Sequence, residues 1–120
     1  MAKFPIHVTC GPENPSKSAL AFLVAKSAID EGHSVTLFLA AEAVQLLRPE
    51  VMEGLRGLGT GAMGEHFAAL RAGGAKFFAS GMSAASRGVK KTELDGSDVE
   101  FAPPTALVRL ATEADRVLCY

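Results

Sequence analysis

Two short stretches of this sequence contain residue types that could do chemistry. A cysteine beside a helix N-terminus, as expected for Cys10, can act as a nucleophile, although it is also a common small buried residue. A glycine-containing turn before a short helix, with an arginine nearby, predicts a site for an anion or another polar ligand. The candidate ligand-binding residues are Cys10, Gly11, Asn14, Ser80, Gly81, Met82, Ser83 and Arg87.

The first stretch lies between a predicted strand at residues 3–9 and a predicted helix at residues 15–31. Asn14 can cap that helix, and Pro15 suits its first position, where a missing N–H has no cost. Ligands of open α/β sheets bind outside the carboxyl ends of the strands. The loop after the first strand is therefore the first place to expect a site, although it is also what an ordinary connection requires.

The remaining chain alternates strand and helix patterns. Strands are predicted at residues 34–40, 75–79, 99–101 and 116–120. Helices are predicted at residues 41–47, 64–72 and 83–87, and a last helix begins at Pro103. This alternation predicts an α/β fold, with a parallel sheet covered on both faces by helices in right-handed crossovers.

Most of the other features are predicted to be structural, and the role of one glycine-rich segment is left undecided by its sequence. The glycine-rich segment 50–64 is expected to be irregular, and a flexible lid, an oligomer contact and a plain surface loop all fit it. A turn is predicted at Asp95-Gly96. His7 is expected to pack in the core, His66 to lie on the outer face of its helix, and Cys119 to be a small buried residue.

Composition narrows the class of protein. The 120 residues suit one domain, residues 1–120. Twelve basic and thirteen acidic residues give near neutrality, which argues against a nucleic-acid-binding protein. No apolar run is long enough to span a membrane, and no secretory signal is recognised, so a cytoplasmic protein is expected. Two cysteines provide neither a disulfide framework nor a zinc site, and no metal or cofactor is expected.

The first helix is apolar over more than one side, and 48% of all residues are hydrophobic. One side must contact the sheet, and in so small a protein the other side is expected to contact a second chain. The sequence therefore predicts a homo-oligomer that buries Leu20, Phe22, Leu23 and Ala25.

Four segments of distinctive sequence are spread over essentially the whole chain. They are Thr9-Cys10-Gly11-Pro12-Glu13-Asn14-Pro15, Gly32-His33-Ser34-Val35-Thr36-Leu37-Phe38-Leu39, Ser86-Arg87-Gly88-Val89 and Glu113-Ala114-Asp115-Arg116-Val117-Leu118. These segments resemble the DsrE/DsrF-like (YchN-like) family of small sulfur-relay proteins, in the branch labelled predicted peroxiredoxins. The resemblance implies a three-layer α/β/α fold with a mostly parallel five-stranded sheet, the first strand near its centre. It also implies a homo-oligomer, often a trimer or hexamer, and sulfur-metabolism proteins as partners.

The chain departs from that family at the sulfur-bearing position. Family members that carry sulfur do so on a cysteine after the third strand, sometimes as Cys-Gly-x-Cys, and Ser80 and Ser83 occupy the matching positions. A hydroxyl does not ionise there without a positioned base, and oxygen cannot replace the terminal sulfur of a persulfide.

The expected function is therefore binding or assembly without catalysis, with no confident catalytic residue. The alternative is a thiol-dependent sulfur carrier or weak peroxidase that uses Cys10. A purely structural subunit without a ligand also fits the sequence.

Overall fold

The computed structural model describes residues 1–94 and 98–120, so the turn predicted at Asp95-Gly96 lies outside the described residues. The main sheet contains β1 (Lys3–Val8), β2 (Ser34–Leu39), β5 (Lys76–Ser80), β6 (Val99–Ala102) and β7 (Leu118–Cys119), and a separate hairpin contains β3 (Arg56–Gly57) and β4 (Gly61–Ala62). The helices are α1 (Pro15–Asp30), α2 (Pro49–Gly54), α3 (Met63–Ala72), α4 (Gly81–Ser86) and α5 (Pro104–Glu113), with 3₁₀ helices at Ala41–Leu47 and Lys91–Leu94.

The main sheet is parallel throughout and has the strand order β6-β5-β2-β1-β7. Strand β2 is central, and Leu37, Phe38 and Leu39 are all buried, as expected for a strand covered on both faces. Strand β1 lies beside it, paired along its whole length from Lys3 opposite Ser34. The predicted α/β fold with a five-stranded parallel sheet and helices on both sides is confirmed.

Helix α1 begins and ends at the predicted signals. The side-chain oxygen of Asn14 accepts a hydrogen bond from the Lys17 amide at 3.2 Å, and Pro15 occupies the first turn. At the other end, Gly32 has φ +86°, a left-handed conformation that favours glycine after a helix. These local signals fix the position of the loop that precedes α1.

One face of the sheet packs against α1 and α3, and this packing corrects the prediction about the first helix. Phe22 and Ala25 are fully buried within their own chain. The Phe22 ring lies 6.4 Å from that of Phe67 on α3 and 6.3 Å from that of Phe77 on β5, measured between centroids. The second apolar side of α1 is thus covered by α3, whereas Leu20 remains 37% exposed.

The opposite face of the sheet carries a row of rings from His7, Phe38 and Phe78 on three neighbouring strands. Helix α5 crosses this face on the way from β6 to β7. Although α5 is amphipathic, none of its residues, all of which the structure describes, is buried, and Val108 is 61% exposed. His7 is only partly buried, so its predicted place in the core is wrong.

Residues 50–64 are more ordered than predicted. They contain α2 and the β3–β4 hairpin, which is attached to α1 through the Ser16 side chain and carbonyl group. His66 does not lie on an outer face. It is partly buried, with Nε2 2.7 Å from the carbonyl oxygen of Thr60 in the hairpin. Gly57, Gly59 and Gly61 belong to the hairpin, and Gly54 and Gly64 lie in the flanking helices, so the segment is not an irregular loop.

Two predicted boundaries are also corrected. The helix after β5 begins at Gly81 instead of Ser83, because Ser80 caps it. The last strand contains only Leu118 and Cys119, and it lies at the edge of the sheet. Cys119 is therefore exposed, not buried as the sequence suggested.

Candidate functional site

The candidate residues lie where the strands of the main sheet end. Cys10 and Gly11 follow β1, Ser80 ends β5 and Gly81 to Ser83 begin α4, with β2 between the two groups. Since adjacent strands are about 4.8 Å apart, the two groups are separated by roughly 10 Å along the edge. They occupy the same edge of the sheet, with the start of the 3₁₀ helix at Ala41 and Glu42 between them.

Gly11 fits tightly against that 3₁₀ helix. A Cβ atom at Gly11 would lie 2.1 Å from the carbonyl oxygen of Glu42, which no real Cβ contact tolerates. The Gly11 amide donates to Oε1 of Glu13 at 2.6 Å, and its carbonyl oxygen accepts from Oγ of Ser18 at 2.6 Å. Glycine is therefore required by close backbone approach, and the loop is held by hydrogen bonds on both sides.

The two serines are engaged with backbone amides. Oγ of Ser80 accepts a hydrogen bond from the Ser83 amide at 3.2 Å, and Oγ of Ser83 accepts one from the Ala41 amide at 2.9 Å. Ala41 has φ +51°, a left-handed conformation that an alanine rarely adopts and that costs of order 1 kcal/mol. Ser83 thus satisfies the amide of a strained residue at the end of β2.

Arg87 is paired with a carboxylate. Its Nε and Nη2 donate to Oε1 of Glu42 at 3.0 and 2.7 Å, and its Nη1 donates to the carbonyl oxygen of Ser83 at 3.2 Å. The hydrogen bond from Arg87, followed by that from Gln45, lowers the pKa of Glu42, and the same carboxylate raises the pKa of Arg87. The arginine expected to bind an anion is already neutralised, so an anion would have to compete with Glu42.

Cys10 lies in an apolar environment. Its side chain is buried at 8% exposure, and Oγ of Ser18 lies 3.6 Å from its Sγ. The Ser18 hydroxyl donates to the Gly11 carbonyl oxygen at the shorter distance of 2.6 Å, so its contact with the Cys10 sulfur is the weaker of the two. This environment resembles that of a small core residue more than that of an activated nucleophile.

The remaining candidates differ in accessibility. The Asn14 side chain caps α1 and so has a structural task, whereas Met82 is 72% exposed on α4. A Cβ atom added at Gly81 would lie 3.9 Å from Cβ of Phe101, an ordinary contact, so close packing does not require glycine there. The structure thus brings the eight candidates to one edge of the sheet as two groups, one after β1 and one at the end of β5 and on α4.

Sequence reasoning missed Glu42 as a site residue. An acidic residue at the start of a helix is common because it suits the positive helix end, so Glu42 by itself indicates no site. Its partner Arg87 is 45 residues away, a separation that leaves no local pattern. A signal would have required knowledge that β2 and β5 are adjacent, since both residues closely follow those two strands.

Neither a metal site nor a membrane span is found in the part of the chain that the structure describes. There, no three histidine, cysteine or acidic residues come together as metal ligands. Among the same residues, no helix combines the length and apolarity needed to cross a bilayer.

Comparison with solved structures shows the same fold. The ychN protein from E. coli has 22% identity and a TM-score of 0.79, with both chains covered completely. A conserved protein of unknown function from Bacteroides thetaiotaomicron has 15% identity and a TM-score of 0.69, with 99% of this chain and 95% of that chain covered. A protein of unknown function from Methanobacterium thermoautotrophicum has 13% identity and a TM-score of 0.70, with full coverage of both.

No curated protein matches the sequence significantly. The model of the DsrE/DsrF-like family, in contrast, matches residues 2–120, nearly the whole chain. This chain belongs to the DsrE/DsrF-like family.

Proposed function

We propose that this protein is a non-catalytic binding or assembly member of a sulfur-relay-related family, acting as a single-domain homo-oligomer in the cytoplasm. One observation carries the proposal: Ser80 and Ser83 stand where sulfur-carrying relatives are expected to have cysteine, and both hydroxyls accept hydrogen bonds from backbone amides. Both hydroxyls therefore stabilise the backbone at the carboxyl edge of the sheet. A hydroxyl at these positions provides neither a thiolate nor a persulfide.

The binding surface in this proposal is the carboxyl edge of the sheet around the two serines. Met82 offers an exposed apolar side chain there, and the paired Arg87 and Glu42 offer a polar one. Because Glu42 already occupies the guanidinium, a partner with its own hydrogen-bonding groups fits better than a free inorganic anion. We expect millimolar phosphate or sulfate to raise the melting temperature only slightly at matched ionic strength.

A sulfur-loading experiment tests the absence of sulfur transfer. The protein is incubated with a persulfide donor, and intact-mass and peptide-mass spectrometry locate any added sulfur. We expect none on Cys10 of the unmodified chain. Persulfide on Cys10 would contradict the proposal and favour the thiol-dependent alternative.

Two cysteine variants make this experiment sharper. Ser80→Cys places a thiol at the cap of α4, where the Ser83 amide can stabilise a thiolate, whereas Ser27→Cys places an exposed one in the last turn of α1. We expect Ser80→Cys to alkylate at lower pH than Ser27→Cys and to take up sulfur. Equal behaviour of the two would show that this edge no longer supports a sulfur site.

The oligomeric state is tested separately. The composition and the exposed Leu20 support association, although the apolar side of α1 is largely covered by α3. Light scattering at micromolar concentration is expected to give a multiple of 12.5 kDa. A monomer mass would remove assembly from the proposal and leave binding.

A further inference from the structure

A pocket lies on the face of the sheet opposite to α1 and α3, away from the serine site. It has a volume of about 440 Å³ and lies beneath α5, beside β1 and β7. Its wall is mostly apolar and is lined by Leu107, Val108, Ala111 and Val117, together with Thr112. The Thr112 hydroxyl is turned to the Arg109 carbonyl at 2.8 Å, so it does not contribute a free donor.

Two chemically active side chains share this pocket. His7 of β1 and Cys119 of β7 are opposite each other in the parallel register, and both line the cavity. Adjacent strands lie about 4.8 Å apart, and residues in register on a parallel pair project to the same face of the sheet. The imidazole and the thiol are therefore within reach of each other through ordinary rotamers.

Neither His7 nor Cys119 is packed in the core as Cys10 is. Cys119 is exposed, whereas Cys10 is buried. In the part of the chain that the structure describes, His7 contacts the Phe38 ring edge-on, and no hydrogen-bond partner for its nitrogens is found. Burial lowers the pKa of His7, so its imidazole is neutral at pH 7 and can accept a proton.

We propose that this pocket binds small neutral, apolar disulfides and that Cys119 undergoes thiol–disulfide exchange with them, with His7 as the general base. The Cys119 sulfur attacks one sulfur of the disulfide while His7 accepts the thiol proton. A new S–S bond forms to Cys119 and the original S–S bond breaks. The departing sulfur leaves with the electron pair, takes the proton from the imidazolium and is released as a thiol.

The disulfide itself is the oxidant, so the step needs no further reactant. The Cys119 sulfur is oxidised to a mixed disulfide, and one sulfur of the ligand is reduced. The apolar wall decides the class of ligand, because a charged disulfide would lose its hydration against Val108 and Leu107 without a charged partner in the pocket. This activity is separate from the role proposed for the serine edge and does not depend on it.

The exchange is tested on the whole protein with 4,4′-dithiodipyridine as the neutral aromatic disulfide and oxidised glutathione as the charged one. Release of pyridinethione gives the rate, and peptide mass spectrometry assigns the modified cysteine. The urea-unfolded protein provides the intrinsic reactivity of the same thiols. We expect modification at Cys119, a rate that saturates with dithiodipyridine, and a folded-to-unfolded rate ratio at least about tenfold higher for dithiodipyridine than for glutathione disulfide.

Three variants separate catalysis from binding. His7→Gln is expected to lower the maximal rate at least about tenfold while leaving the half-saturating concentration unchanged. Val108→Ser, on the 61% exposed wall, is expected to raise the half-saturating concentration. Leu58→Ser replaces a 92% exposed apolar residue at the hairpin tip and is expected to change neither.

Four results would overturn the inference. The first is an exchange rate that rises linearly with the concentration of dithiodipyridine, and the second is an equal folded-to-unfolded rate ratio for the two disulfides. The third is an unchanged exchange rate in His7→Gln and Val108→Ser, provided that both variants keep native circular dichroism. The fourth is modification of Cys10 in preference to Cys119. Protection of Cys119 from both reagents, together with an oligomeric mass, would likewise overturn it, because a second copy would then cover the pocket.

Discussion

Replacement of Gly11 by alanine provides a direct test of how the edge of the sheet is assembled. The new Cβ would lie 2.1 Å from the carbonyl oxygen of Glu42 and 2.7 Å from its carbonyl carbon. Real Cβ contacts essentially never fall below 3.0 Å, so the loop and the 3₁₀ helix must separate by about 0.9 Å. Both partners are backbone, and a change of rotamer cannot relieve the clash.

The size of the effect follows from what resists this separation. Overpacking of a fitted position costs about 1–3 kcal/mol. The two 2.6 Å hydrogen bonds of Gly11, to Glu13 and from Ser18, hold the loop in place, and weakening one adds about 1 kcal/mol. We expect Gly11→Ala to lower the free energy of unfolding by about 2–4 kcal/mol, which corresponds to a fall of roughly 10–15 °C in melting temperature.

Urea unfolding followed by circular dichroism measures this loss, with an unchanged slope against urea expected for a loss of native stability alone. Gly54→Ala is the matched control, because a Cβ there meets nothing within 4 Å and Gly54 lies in α2. That control is expected to be neutral or slightly stabilising. If Gly11→Ala loses less than about 0.5 kcal/mol, or no more than Gly54→Ala, the close approach does not limit this position and the reasoning is refuted.

Three further predictions concern stability. Glu42→Gln removes a carboxylate whose pKa is lowered by Arg87. The carboxylate stabilises the native protein fully above its ordinary pKa of 4.5, and this stabilisation is lost as the pH falls through the lowered pKa. The variant should therefore show a smaller fall of melting temperature on the acid side, and an unchanged profile would contradict this. His7→Asn should flatten the profile below pH 6.5, because the unfolded chain binds that proton before the folded one does and the native protein therefore loses stability there; an equally steep profile would oppose this. Ser83→Ala leaves the Ala41 amide without its acceptor and should cost about 1–2 kcal/mol in urea unfolding, whereas no loss would show that water replaces the hydroxyl.

Local signals in the sequence predicted the fold class and the ends of individual helices and strands. The capping residue Asn14 with Pro15 located the start of α1, and the buried pattern of β2 indicated a strand covered on both faces. Such signals work because caps and strand periodicity depend on a few neighbouring residues. The DsrE/DsrF-like family, expected from four segments, is likewise confirmed.

Features that depend on distant residues were not predictable in the same way. The apolar second side of α1 could have met another chain, and only the position of α3 shows that Phe22 is covered by Phe67. Cys119 has an apolar neighbour in Leu118, yet a two-residue strand at the edge of a sheet leaves its side chain exposed. The left-handed conformation of Ala41 follows no residue preference and requires the contact with Ser83.

The pairing of β7 with β1 has a consequence for the order in which the chain folds. Thr9 donates to the Tyr120 carbonyl from both its amide and its hydroxyl across 111 residues, and the Lys3 amide donates to Asp115 across 112. Closing so long a loop is entropically costly, and only two strand residues compensate for it. The β1–β2 pair and α1 are therefore expected to assemble early and β7 to pair late. The same strand should be the first to open by local unfolding of the native protein, so amide hydrogen exchange should be faster at Thr9 and Tyr120 than along β2.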